Sequence, residues 1–141
     1  MVRPLTAEDA KEMARIHKDA FPVGWPASDM VRHTQKDLCL GIGMPLSAFI
    51  ILQIAGEQAD ILTLATDSQA RRKGHARKLL RSVQEYLENK SIRTLFLDVA
   101  ENNNAAISLY KACGFQPIGR RPAYYRTLRG RIAAITFSKS L

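Results

Sequence analysis

Apolar residues recur along the chain with two different spacings, which together predict alternating strands and helices. One set is separated by steps of three, one, three and four residues, the spacing of a single helix face: Ala76, Leu79, Leu80, Val83 and Leu87. Shorter apolar runs at residues 38–42, 47–53, 59–66 and 94–99 predict four strands. Gly56-Glu57 between two of these runs predicts a hairpin turn.

The first forty residues predict a short strand followed by two helices. Residues 2–5 are typical of a strand, and Thr6 with Asp9 three residues later is typical of a capping box that opens a helix extending to Phe21. Prolines and a glycine at 22–26 predict a loop. After it, Ser28 is expected to cap a short helix that ends near residue 34.

The last forty residues predict one helix and two closing strands. Residues 104–113 are expected to be helical, with Gly114 as a left-handed C-cap. Residues 115–119 and 131–137 are expected to be strands around a basic loop that contains Tyr124 and Tyr125. The order βααβββαβαββ predicts an α/β (α+β) fold with helices on both faces of one sheet.

Length and composition limit the classes of protein that this chain can form. It has 141 residues, 46% of them hydrophobic and 24% charged, which predicts a single folded domain over residues 1–141. No apolar run approaches the ~20 residues needed to cross a bilayer, and the first residues lack the apolar stretch of a secretory signal. Two cysteines, Cys39 and Cys113, are too few for a disulfide framework or a four-ligand zinc site. We therefore expect a cytoplasmic domain with reduced thiols, no metal and no membrane contact.

The charge is strongly positive and unevenly distributed. Twenty-one Lys and Arg residues against 13 acids give a net charge of +8 and a pI of about 9.9. No acidic residue follows Glu101, and a second acid-free basic group extends from Arg71 to Arg81. Such regions attract polyanions, and the charge alone leaves open a nucleic acid, a phosphorylated cofactor or a ribonucleoprotein surface.

The second basic group lies where a predicted strand passes through a loop into a predicted helix. Gly74 and Ala76 are small, so several backbone N–H groups can point into one concavity at the start of the helix, which favours phosphate oxygens. The segment has neither the Gly-Lys-Ser/Thr ending of a Walker loop nor the three glycines of a dinucleotide fingerprint. The alternative is a basic helix start that is only solvated.

Two segments together resemble the GNAT N-acetyltransferase superfamily. Arg71-Arg72-Lys73-Gly74-His75-Ala76 matches its Q/R-x-x-G-x-G/A acetyl-CoA motif. Residues 97–115 resemble the family segment that contains N-x-x-A-x-x-L-Y-x-x-x-G-F, with Asn103 as its first position. Residues 120–125, Arg-Arg-Pro-Ala-Tyr-Tyr, look like an R-R-x-Y-Y segment with one additional residue before the tyrosines; that segment is found in the branch that acetylates bacterial ribosomal proteins.

The resemblance implies a mixed, mostly antiparallel sheet of six to seven strands flanked by about four helices. Its two central parallel strands, here 59–66 and 94–99, would splay apart to admit acetyl-CoA. Leu64 and Thr66 would pair with the pantetheine amides, the loop 72–77 would hold the pyrophosphate, and Asn103 would hold the pantetheine arm. The implied cofactor-binding residues are Leu64, Ala65, Thr66, Arg71, Arg72, Lys73, Gly74, His75, Ala76, Arg77 and Asn103.

The resemblance also implies the groups that move protons. Tyr110 matches the family's tyrosine acid, although the residues alone favour a core position beside Ile107. Asp98 stands where related enzymes have Glu, so it is the first candidate for the base, with an ordered water able to bridge the missing methylene. Asp60 and Glu101 are the second and third candidates.

On the acceptor side, the candidate substrate contacts are Trp25, Tyr124 and Tyr125, each of which could instead be a packing residue. Ile132-Ala133 replaces an acidic pair common in the ribosomal-protein branch. The implied activity is acetyl transfer to the α-amine of a protein N-terminus, the natural acceptor being a small-subunit ribosomal protein that begins with alanine.

Two alternatives remain open at this stage. The acceptor could be a small amine or a lysine side chain. A hypothesis from another class is a non-catalytic, basic module that binds RNA or the ribosome. For the enzyme, nucleic acid contact is expected to be indirect at most.

Overall fold

A computed structural model describes residues 1–141 as one seven-stranded sheet with four helices. The strands are β1 (Val2–Pro4), β2 (Leu38–Ile42), β3 (Ala48–Ala55), β4 (Gln58–Thr66), β5 (Thr94–Ala100), β6 (Gln116–Thr127) and β7 (Gly130–Ser140). The helices are α1 (Ala10–Ala20), α2 (Ala27–Lys36), α3 (His75–Asn89) and α4 (Asn104–Ala112). The strand order is β1-β2-β3-β4-β5-β7-β6, antiparallel except for the β4–β5 pair, which confirms the predicted fold class.

The helices divide between the two faces of the sheet because each carries one apolar stripe. The stripe of α3, including Leu79 and Val83, packs on the larger core cluster, which contains Leu52 and Phe137. Helices α1 and α2 cover a smaller cluster on the other face. No helix has the length and apolar character required to span a bilayer.

Strands β4 and β5 separate half-way along their length. They pair only from Gln58 opposite Thr94 to Ile61 opposite Leu97, although both strands continue further. Strand β4 is irregular at this point, since its register with β3 shifts between Ile51 and Leu52. A bulge bends its strand, so it gives a local reason for the separation. The β5-facing edge of residues 62–66 is therefore unpaired, which confirms the expected splay.

Local turn signals are mostly confirmed. Thr6 and Asp9 form the capping box, although the first turn is a 3-10 turn that precedes α1. Gly56 and Gly114 have φ of 61° and 92°, the left-handed conformation that their turns require. The expected Ser28 cap is wrong: α2 begins at Ala27, directly after Pro26.

The predicted basic loop around Tyr124 and Tyr125 is also wrong, because both tyrosines lie in strand β6. The hairpin turn is much shorter than expected and contains only Leu128 and Arg129. The β6–β7 register shifts between Arg121 and Tyr125, where Ala123 has a φ of 50°. The predicted strand 115–119 is the start of β6, while the proline and this irregularity hide residues 120–127 from a pattern-based prediction.

Candidate active site

A cleft of about 620 Å³ opens where β4 and β5 separate. It lies among the end of α1, the end of β4, the loop before α3, and α4. The lining residues are Ala20, Phe21, Leu64, Ala65, Thr66, Ala70, Arg71, Arg72, Gly74, His75, Ala76, Arg77, Asn103, Ala105, Ala106, Leu109 and Tyr110. Every predicted cofactor residue except Lys73 is in this set.

The loop before α3 presents an uninterrupted run of free backbone donors. No backbone N–H from Arg71 to Arg77 donates within the chain, and the first to do so is that of Lys78, to the Gly74 carbonyl at 3.1 Å. Gly74, with a φ of 80°, directly precedes the first residue of α3. The first turn of α3 contains no acid. Free N–H groups, the helix dipole and basic side chains together suit a phosphate group.

The loop is anchored to α1 through Asp67. The Asp67 carboxylate accepts from the backbone N–H of Gln69 at 3.0 Å and from the Arg15 guanidinium at 2.9 Å. The backbone hydrogen bond and Arg15 hold the pKa of Asp67 below its usual value. This anchor fixes the point where the loop leaves β4.

Asn103 and His75 each bring a polar side chain to the cleft. The Asn103 Oδ1 accepts from the Ala106 N–H at 3.2 Å and so caps α4, which leaves the amide NH₂ to donate elsewhere. His75 also lines the cleft, and its ring Nδ1 is buried without a hydrogen-bond partner.

Tyr110 both packs in the core and borders the cleft. Its ring lies edge-on to Phe115, with 5.6 Å between the centroids, and only 7% of the residue is exposed. Burial raises the pKa of Tyr110 well above the usual phenol value. The hydroxyl therefore keeps its proton at neutral pH, so the two interpretations of Tyr110 are compatible.

Two of the three candidate carboxylates lie together. Asp60, on β4, is the register partner of Phe96 on β5. Asp98 lies two residues after Phe96, so Asp60 and Asp98 are on the same face of the sheet. That face is opposite to the one that packs on α3, and neither carboxylate lines the cleft. Burial and the Asp98 charge raise the pKa of Asp60, while Arg121 lowers it.

Asp98 is held by groups from the last two strands. Its Oδ1 accepts from the Thr136 hydroxyl at 2.5 Å and lies 3.4 Å from the Arg121 Nε. The Tyr125 hydroxyl donates to the Asp98 backbone carbonyl at 2.8 Å. Burial, followed by the Asp98 charge, raises the pKa of Tyr125.

Glu101 lies apart from this pair. Its carboxylate forms an ion pair with Arg120, the Nε being 3.0 Å and the second nitrogen 3.4 Å from its oxygens. Both side chains are substantially exposed. The contacts of Glu101 are those of a surface ion pair.

The three candidate acceptor contacts differ in their surroundings. Tyr124 is 45% exposed and lies under the Arg121 guanidinium, 5.3 Å from its ring centroid. Trp25 instead stacks between His17 and His33, and its backbone N–H donates to the Nδ1 of His17 at 3.1 Å. Burial lowers the pKa of His17 to about 4, so that ring is a neutral core acceptor.

Sequence reasoning missed Arg121 and Thr136 as partners of Asp98. Both come from strands more than twenty residues away, and only the register Asp98↔Thr136 reveals the contact. The R-R pair marked Arg121 as unusual, but nothing in its spacing indicated which carboxylate it contacts.

An unpaired strand edge that leads to free N–H groups is suited to a ligand with amides at one end and phosphates at the other. The fold and this cleft are those of the acyltransferases that use coenzyme A. The chain belongs to the acetyltransferase (GNAT) family, whose model matches residues 10–115.

Among curated proteins, the chain is similar to [ribosomal protein bS18]-alanine N-acetyltransferases. It is 38% identical to the one from Escherichia coli K12 over 90 residues, a match that covers 64% of this chain and 61% of that protein's length. It is 27% identical to the one from Haemophilus ducreyi over 135 residues, or 89% and 88% of the two chains.

Solved structures agree on the fold. The crystal structure of the Escherichia coli ribosomal-protein-S18-alanine N-acetyltransferase has a TM-score of 0.91 and 28% identity, covering 99% of this chain and 92% of that one. Arabidopsis thaliana NAA60 in complex with a bisubstrate analogue has a TM-score of 0.90 at 21% identity, covering 99% and 97%, a likeness of fold alone.

Proposed function

We propose that the chain is an acetyl-CoA-dependent N-acetyltransferase whose acceptor is the α-amine of a protein N-terminus. The proposed natural acceptor is the N-terminal alanine of a small-subunit ribosomal protein, by analogy with the names of its relatives. One observation carries the proposal: the unpaired edge of β4 is followed, in the loop and the first turn of α3, by seven consecutive free N–H groups, from Arg71 to Arg77. A cytoplasmic location follows from this acceptor.

The residues of the cleft fit acetyl-CoA along its length. The free N–H groups and basic side chains of the loop suit the pyrophosphate, and the backbone of Leu64 and Thr66 suits the amides of the pantetheine arm. The free NH₂ of Asn103 is a further donor to that arm. When bound, acetyl-CoA supplies an acetyl group activated as a thioester.

Two of this chain's groups are proposed to move protons. Tyr110, protonated and bordering the cleft, donates a proton to the departing thiolate. The proton that the acceptor amine loses goes to a carboxylate, with Asp98 as the first candidate, Asp60 the second and Glu101 the third. The shared face of Asp98 and Asp60 supports the first two over Glu101.

The cleft and the carboxylate pair are proposed to serve two substrates at once. The cleft is lined by α3 and α4, whereas Asp98 and Asp60 lie on the other face of the strands. An acceptor that reaches the gap from the carboxylate side meets the thioester directly, without a covalent enzyme intermediate. Tyr124 and Tyr125 would flank its path, and Trp25 supports the α1–α2 packing beside it.

The test is a thiol-release assay with acetyl-CoA and hexapeptides that begin with Ala, Ser or Met. We expect release with the Ala-led peptide, acetylated at its α-amine by mass spectrometry. Spermidine and an N-terminally blocked lysine peptide serve as competing acceptors. Activity on these alone would contradict the N-terminal assignment, while salt-dependent RNA binding without thiol release would favour the non-catalytic module.

A further inference from the structure

The β6–β7 hairpin extends beyond the rest of the sheet. Strand β5 pairs with β7 only as far as Ala100 opposite Ala134, whereas β6 and β7 remain paired to Thr127 opposite Gly130. The end of the hairpin therefore has strand partners only within itself. A two-stranded ribbon of this kind can contact a partner molecule while the cleft keeps its structure.

Three arginines occupy this projecting end, and we call Arg126, Arg129 and Arg131 the arginine tip. Arg126 and Arg131 are direct register partners across the two strands, and Arg129 lies in the turn between them. All three are exposed, and none has an acidic partner. Like charges in direct opposition destabilise a hairpin, so folding does not explain their presence.

The turn fixes the position of the arginine tip. The Thr127 hydroxyl donates to the Gly130 carbonyl at 2.7 Å and accepts from the Arg129 N–H at 3.2 Å. Leu128, beside Arg129, is 92% exposed. The backbone that carries the three arginines is thus held in a closed, solvent-facing hairpin end.

Neither the proposed cofactor contacts nor the proposed proton-transfer groups use these charges. The cofactor's phosphates are served by the basic loop before α3. Arg120 and Arg121, earlier in β6, are paired with Glu101 and Asp98. No acidic residue follows Glu101, and no acid elsewhere in the chain forms an ion pair with the tip.

We propose that the arginine tip docks on the phosphodiester backbone of a nucleic acid. Guanidinium groups bind phosphate oxygens through two parallel hydrogen bonds, and a strand of nucleic acid offers phosphates at regular spacing. The net charge of +8 favours a polyanion larger than the cofactor. Contacts to the phosphodiester backbone carry no sequence specificity, whereas bases are read partly through apolar contacts. The tip has only one large apolar side chain, Leu128, so it is suited to the phosphodiester backbone more than to bases.

The test measures fluorescence anisotropy of a labelled 20-nucleotide oligouridine in saturating CoA, which occupies the basic loop before α3. Three phosphate contacts give a log–log salt slope of about −2, so affinity should fall about 20-fold between 50 and 200 mM salt. The variant Arg126→Gln/Arg129→Gln/Arg131→Gln should lose at least 10-fold in affinity at 50 mM salt and most of that slope. A thymidine 20-mer tests whether the sugar affects binding. Binding of either oligonucleotide with this dependence on the tip supports the proposal.

The matched control is Lys11→Gln/Lys18→Gln/Lys36→Gln, which removes the same charge from exposed positions of α1 and α2. We expect it to bind within about threefold of wild type, while a loss comparable to that of the arginine variant would assign the effect to net charge and overturn the proposal.

Equal competition by polyglutamate would assign the tip to an acidic polypeptide and also overturn the proposal. Peptide acetylation by the arginine variant should stay within twofold, and its loss with RNA binding intact would place the tip on the acceptor instead.

Discussion

At the scale of single residues, the ring of Tyr110 packs in the core while its hydroxyl is the proposed proton donor. Tyr110→Phe keeps the edge-on contact with Phe115 and removes only the proton donor. We expect kcat to fall about 100-fold, the usual contribution of a positioned acid. Thiol release measures kcat, and calorimetry should find acetyl-CoA affinity within twofold. An unchanged kcat would leave Tyr110 a packing residue.

Arg121 tests whether the ionised form of Asp60 takes part in catalysis. Burial and Asp98 raise the pKa of Asp60, and Arg121 opposes both. Arg121→Gln removes the opposing charge, so this pKa should rise and the carboxylate should become protonated at a higher pH. Where ionised Asp60 is needed, the acid limb of the kcat/KM profile therefore moves to higher pH.

Arg121→Lys is the control, because it keeps the positive charge and should keep the limb near its wild-type position. An acid limb that does not move in Arg121→Gln would show that Asp60 ionisation does not limit the reaction. Asp98→Asn then separates the two candidates: it should abolish turnover only where Asp98 itself accepts the proton.

At the scale of elements, the loop before α3 depends on Gly74. Gly74 and Gly56 both have left-handed φ, and a Cβ would meet nothing within 4 Å at either position. Alanine at each should therefore lower the free energy of unfolding by about 1–2 kcal/mol through strain alone. Gly74→Ala should also raise the Kd for acetyl-CoA, whereas Gly56→Ala, in the β3–β4 turn, should not. Equal Kd values, measured by calorimetry, would show that the loop does not hold the cofactor.

For the arginine tip, in contrast to the two glycines, we expect a substitution that raises the free energy of unfolding. Arg126→Glu replaces a like-charge pair with an ion pair to Arg131, so it should raise the free energy of unfolding by about 0.2–1 kcal/mol. Urea denaturation measures this change. Arg126→Gln is the control, with a smaller gain expected. A loss of stability in both variants would mean that Arg126 makes a structural contact.

The sequence predicts elements well where their signals are local. Helix α3, the capping box at Thr6 and the turn at Gly56 follow from spacing or from one residue type. Only the start of strand β6 was predicted, as the expected strand 115–119; residues 120–127 were missed because a proline and a register shift interrupt the strand, and its exposed side chains give no apolar alternation. The contacts of Asp98 were not predictable, since register joins residues from three strands distant in sequence.

At the scale of the whole molecule, the cleft is a gap in the hydrogen bonding of the fold. The unpaired edge of β4 and the free N–H groups before α3 belong to separate elements, which a single extended ligand would bridge. Acetyl-CoA at 100 times its Kd should therefore raise the free energy of unfolding by about 2.7 kcal/mol.

Chemical denaturation with and without ligand measures this linkage, and CoA should stabilise nearly as well as acetyl-CoA because it keeps the diphosphate. N-acetylcysteamine, which ends before the phosphates, should stabilise far less at the same concentration, since the free N–H groups then remain without a partner. Equal stabilisation by both compounds would place the main contacts along β4 and leave the basic loop without its proposed role. No stabilisation by acetyl-CoA would mean that the gap between β4 and β5 is not where this chain binds its cofactor.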